Sequence, residues 1–325
     1  VLDRGPYELP ALRYQTLPDD IGLISTIDTV LQLTEVQPRE AGKGKYALQF
    51  FNLRGFRLHG FRFRFQGGED QAALAVSNCS AVVIEDCLFQ RQVAGTGASA
   101  DLLMSDWDPA VPPIGPRIRR CVFSGELSIY GSLLESTVIE ECWFRYTGRY
   151  TALTLSRLRH GAIVRRNVFE TDKGAMYVEF RPGTGPVEIS NNFIDAQPIS
   201  VEQPQDSRVV FVNNAITSAC YPKIEPASLP DIARKWEVAN NAYRKAAYSP
   251  KQLPLQSTDL DQIDATALDR TSPDYARVAL DSPLAQKGAG GKWPKYIGAL
   301  PPGPAPKDGD WFSHLRERWE ASAAK

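Results

Sequence analysis

The sequence predicts an all-β protein, a right-handed parallel β-helix of about eight coils. Three observations lead there. A six-residue phrase, apolar-x-x-(Cys/Asn)-apolar-aromatic, recurs along the chain. A second short alternating segment precedes most copies of it. The residues at equivalent positions of the copies form columns of one chemical kind.

The copies are IEDCLF from Ile84, IRRCVF from Ile118, IEECWF from Ile139, VRRNVF from Val164, ISNNFI from Ile189, FVNNAI from Phe211 and VANNAY from Val238. A degenerate copy, LHGFRF from Leu58, comes first. Successive copies are 21 to 34 residues apart. The second segments are LAV from Leu74, LSI from Leu127, LTL from Leu153, MYV from Met176 and ISV from Ile199. Alternation of period two marks strands. Short strands with polar turns, repeating at this interval, stack as coils about 4.8 Å apart.

One column reads Cys87, Cys121, Cys142, Asn167, Asn192, Asn214, Asn241. A bend between strands leaves backbone groups unpaired inside the cylinder, and a stack of Asn amides satisfies them. Cys fits the same inward slot as a small hydrophobe. These thiols are therefore expected to be buried and free, since parallel Cβ vectors are poor disulfide geometry. Two residues on, Phe89, Phe123, Phe144, Phe169, Ile194, Ile216 and Tyr243 predict an apolar stack. Between phrase and column, Glu85, Arg119, Glu140, Arg165 and Asp86, Arg120, Glu141, Arg166 alternate in sign. This is a charge ladder that favours correct register.

The phrase and the Asn column resemble those of the pectate-lyase-like right-handed β-helix superfamily, over residues 46–243. The resemblance implies a carbohydrate ligand lying along one strand face, and an extracellular or periplasmic setting. The sharper motifs of its best-known enzymes do not occur. There is no Trp-Ile-Asp-His or Arg-x-Pro-x-x-Arg segment and no Gly-His-Gly, only RHG at Arg159–Gly161.

Residues 1–45 are expected to form an incomplete first coil or N-terminal cap, residues 46–243 the β-helix, and residues 244–325 a tail folded back along it. Trp311, Leu315 and Trp319, behind an N-cap at Asp310, predict a short amphipathic helix near 310–323. The interval from Ile84 to Ile118 holds about ten extra residues. They are expected to form a loop carrying Asp101, Asp106, Trp107 and Asp108, with Trp107 placed to stack on a sugar.

The chain has 325 residues, with 37 Lys and Arg against 38 Asp and Glu. That balance gives no bulk field for nucleic acid. No apolar run is long enough to span a bilayer. Val1 is expected to follow a removed signal peptide or to lie inside a longer protein. The five cysteines contain no CxxC pair, so zinc is not expected.

The outward positions of the second segments hold the candidate site. One column runs Ser77, Tyr130, Ser156, Glu179, Glu202, and another Ala75, Ser128, Thr154, Tyr177, Ser200. Glu179 and Glu202 on adjacent coils are expected about 5 Å apart, close enough to shift a pKa or recruit a cation, calcium being the candidate metal. Arg157 and Arg181 follow the same strands. Glu179, Glu202, Arg157 and Arg181 are thus the candidate catalytic residues, and Tyr177, Tyr130 and Trp107 the candidate substrate contacts. The set suits a polysaccharide lyase or a glycoside hydrolase acting on an acidic polysaccharide. The alternative is a non-catalytic interaction scaffold within a longer multidomain protein, with a protein partner.

Overall fold

The computed structural model describes residues 7–9, 12–14, 22–25, 29–33, 45–66, 71–91, 100–106, 115–131, 136–146, 151–202, 207–217, 235–244, 256–264 and 266–323. Every paired strand among them runs parallel to its neighbours, in three stacked faces. The first face is a nine-stranded sheet from Gly22–Ile24 to Glu237–Ala239. The recurring phrase opens on this face, turns, and continues on the second face, as Val83–Glu85 leads into Leu88–Arg91. The third face carries the second segments, such as Gln71–Ser77 and Thr151–Ser156. Val168–Glu179 and Phe193–Glu202 run through the second face into the third without a break. The nine rungs of the first face differ slightly from the expected eight coils.

The turn between first and second faces explains the phrase. Its fourth residue points inward, and the residue before it is left-handed. Asp86, Arg120, Glu141, Arg166, Asn191, Asn213 and Asn240 all have φ between 50° and 60°. Asn tolerates that conformation well and the charged residues less so. The turn frees backbone groups inside, and the column pairs them. Asn192 Nδ2 donates to Val164 O at 2.9 Å and to Asn214 Oδ1 at 3.0 Å. Its own Oδ1 accepts from the Asn167 amide at 3.0 Å and from Asn167 Nδ2 at 3.1 Å. Asn214 repeats the pattern onto Asn241, and Asp259 closes the ladder by accepting from the Asn241 amide at 2.8 Å. Cys87, Cys121 and Cys142 are buried and free, each thiol facing the carbonyl two residues back.

Beside the ladder, Phe63, Phe89, Phe123, Phe144 and Phe169 stack at centroid distances of 4.9, 5.0, 5.2 and 4.5 Å. Each is essentially inaccessible, and burying one stabilises the fold by about 1.5–3 kcal/mol. On the first face the charge ladder pairs across coils. Arg120 meets Asp86 at 2.8 Å, Arg165 meets Glu140 at 2.7 Å, and Glu141 accepts from both Arg119 and Arg166.

The long interval after Ile84 is not all loop. Ala100–Asp106 is a third-face strand between Gln71–Ser77 and Glu126–Gly131, with Leu102 and Met104 buried inward. Its alternation was masked by Leu103, an apolar residue at an outward position. Asp101 and Asp106 therefore stand on a strand, while Trp107 and Asp108 lie outside the described residues.

Outward from the second face, Leu88, Val122, Trp143, Val168, Phe193, Ala215 and Ala242 form an apolar strip. The C-terminal residues cover it, with Tyr275, Leu284, Ile297, Leu300, Phe312 and Leu315 packed against it. Asn191, Asn213 and Asn240 fasten this tail at three successive bends, through the carbonyls of Tyr296, Pro294 and Lys287. The chain ends in helix α1, Trp311–Ala323. Among the described residues no helix is long and apolar enough to cross a membrane.

Candidate functional site

The outward residues of the third face fall into two columns by strand register. One runs Ser77, Ser105, Tyr130, Ser156, Glu179, Glu202. The other runs Ala75, Leu103, Ser128, Thr154, Tyr177, Ser200. Parallel strands in register force this arrangement, because every second residue of each coil must face the same way. Glu179 and Glu202 are direct neighbours on adjacent coils.

Their carboxylates do not meet a common partner. Glu179 accepts from Ser156 Oγ through Oε2 and from Arg181 Nε at 2.6 Å through Oε1. Arg157 Nε stands 3.9 Å from the same Oε1. Glu202 instead accepts from the Tyr177 hydroxyl. Burial pushes the Glu179 carboxyl up, but the bonds to Ser156 and Arg181 and the two guanidinium charges outweigh it and hold it below the ordinary glutamate value. Tyr177 is pushed well above the ordinary phenol range by burial and by its bond to Glu202.

Arg157 and Arg181 sit where the third face turns toward the first, both nearly half exposed. Arg157 occupies a left-handed position, φ 60°, which turns the chain away from the strand. Arg181 is steadied by Thr184, whose hydroxyl accepts from its amide at 2.8 Å. The pair thus forms a basic rim beside a carboxylate-bearing face.

No family model, curated protein or solved structure matches the chain. What the face can do follows from its own geometry.

A further carboxyl belongs to it. Glu126 opens the strand Glu126–Gly131, two residues before Ser128 and so on the same outward side. It is 8% exposed and accepts from Thr154 Oγ1, with no cation at hand to pair it. Burial is the largest influence on it and pushes its carboxyl up, against the hydroxyls of Thr154 and Ser128. Tyr130 is raised by burial and then by the charges of Glu126 and Glu179, which places it within the field of both. The sequence carried a signal for Glu126: the period-two pattern of LSI, extended one step back, reaches it.

Tyr130, Tyr177, Glu179, Glu202, Arg157 and Arg181 therefore share one region, joined by Glu126, Ser128, Thr154 and Ser156. Trp107 lies outside the described residues. Among the described residues no three His, Cys, Asp or Glu side chains gather as a metal site.

Proposed function

We propose that the protein is a carbohydrate-active β-helix that binds an acidic polysaccharide along its third face and cleaves it there. The reading agrees with the resemblance to the pectate-lyase-like superfamily. One observation carries it: a single strand face gathers three carboxyls, two tyrosines and a floor of hydroxyls, with two half-exposed arginines at its rim. Sugar rings stack on tyrosine, hydroxyls and carboxylates take up sugar hydroxyls, and arginine forks onto a carboxylate or sulfate. The first face makes the contrast, since its charges neutralise one another pairwise.

Arg157 and Arg181 take the acidic group of the sugar, Tyr177 and Tyr130 its ring, and Glu179 and Glu202 the proton chemistry. A calcium ion bridging Glu179 and Glu202 is the other way to neutralise a uronate. The arginines are favoured, because Arg181 already engages Glu179 Oε1.

Titration calorimetry with oligogalacturonate, with and without calcium, tests the reading. Heat is expected from the wild type. Arg181→Ala is expected to weaken binding about 10- to 100-fold, the loss of a charged hydrogen bond of about 1.5–3 kcal/mol. Glu179→Gln/Glu202→Gln removes any calcium dependence. No heat from the wild type with neutral or acidic oligosaccharides rejects the proposal and favours the scaffold reading, with a protein partner.

A further inference from the structure

Glu126 and Glu179 stand in opposite electrostatic settings on the same face. Glu126 is surrounded by hydroxyls and hydrophobic burial, without a cation. Glu179 is held by Arg181 and Arg157. Two carboxyls whose surroundings push their proton affinities apart are the usual mark of an acid and a base.

Their separation can be read from the strand between them. Glu126 reaches forward one coil to the hydroxyl of Thr154, and Glu179 reaches back one coil to the hydroxyl of Ser156. Thr154 and Ser156 are outward neighbours on the single strand Thr151–Ser156. Outward neighbours are two residues apart, roughly 6.6 Å at about 3.3 Å per residue. The two carboxyls, each resting on one of these hydroxyls, are therefore spaced by about that distance. Retaining glycosidases need roughly 5–5.5 Å between their carboxyls, whereas roughly 6.5–9.5 Å leaves room for a water molecule. Tyr130 and Tyr177 lie on the coils before and after this pair, in the columns of Ser156 and Thr154 respectively.

We infer that Glu126 and Glu179 form the acid and base of a glycoside hydrolase that works with inversion, across the Thr154–Ser156 strand. The inference rests on reading the third face as a sugar site, and it names the reaction. Water attacks the anomeric carbon as Glu179 takes one of its protons. The bond from that carbon to the leaving oxygen breaks, and the oxygen takes the proton of Glu126. One water is consumed. Glu126 is left ionised and Glu179 protonated, and exchange with solvent restores both. Glu202, hydrogen-bonded to Tyr177, then serves to bind sugar.

Polygalacturonate and a 2,4-dinitrophenyl uronide are the two probes. Dinitrophenolate leaves without help from an acid, so the probes separate the two roles. Glu179→Gln is expected to slow hydrolysis of both by about 10²–10⁴. Glu126→Gln, which keeps the shape of the neutral acid, slows polygalacturonate by a similar factor but the activated uronide by far less. Proton NMR of the first-formed sugar is expected to show the inverted anomer. A carbon-13 titration of glutamate carboxyls shows one midpoint above the usual range, lost in Glu126→Gln, which also reports that this variant is folded. Equal losses on both probes in Glu126→Gln, a retained anomer, or an unsaturated product overturn the inference. Binding of polygalacturonate without cleavage overturns it while leaving the sugar-site reading standing. Absence of binding overturns both.

Discussion

Asn192 makes four hydrogen bonds with its side chain alone, two donated and two accepted, and all are buried. Replacing it by Ala strands the Asn167 amide and the Val164 carbonyl inside the cylinder. A buried polar group left unsatisfied costs about 1–3 kcal/mol, so Asn192→Ala is expected to lose about 2–6 kcal/mol in urea unfolding. A loss below about 1 kcal/mol would mean that the ladder is decoration. This column was legible because the same residue type recurs at one point of a repeat. The bend beside it was not. Asp86, Arg120, Glu141 and Arg166 read as a charge ladder, and they do pair, but nothing in charged residues announces a left-handed backbone. Glu126 escaped for a related reason: it occurs once, and its partner Thr154 lies 28 residues away on the next coil.

At the scale of the element, helix α1 depends on one side chain at its start. Asp310 accepts from the Ser313 amide at 2.9 Å, the bond of an N-cap, and pairs with Arg277, which is 3% exposed. Burial pushes the Asp310 carboxyl up, but the Ser313 amide and Arg277 outweigh it and hold it below the ordinary aspartate value. A carboxyl so depressed stabilises the folded state above its unfolded pKa, about 3.9, and that contribution is lost as pH falls through the lower folded value. Removing one partner of a buried pair costs about 3–5 kcal/mol. Asp310→Ala is thus expected to lose about that much at pH 7, with the gap to wild type closing below about pH 4. A gap that stays constant into acid would remove the ion pair as the cause. The helix was legible from Trp311, Leu315 and Trp319, and Asp310 from its place before them. The strand Ala100–Asp106 was not, because an apolar outward residue and an irregular register at Ala100–Leu102 hid its period.

The whole molecule is a cylinder with three faces put to different uses. The first neutralises its own charges, the second is covered by the C-terminal residues, and the third presents the candidate site. Helix α1 closes the cover over the earlier coils. Phe312 and Leu315 are buried, and Arg145 lies between Trp143 and Trp319, 4.7 and 5.3 Å from their rings. Arg62 and Arg64 donate to the carbonyls of Arg318 and Ser322 in the helix's C-terminal half, where the dipole favours cations. Truncation before Trp311 removes two buried apolar side chains worth about 1.5–3 kcal/mol each and uncovers Trp143. The shortened protein is expected to keep its β circular dichroism, because the coils hold themselves through the ladder and the Phe stack. It is expected to unfold at lower urea and to bind an apolar fluorescent dye on the bared strip. Unchanged urea midpoint and no dye binding would show that the strip needs no helix. Collapse of the β signal would show instead that the cover is part of what folds the cylinder.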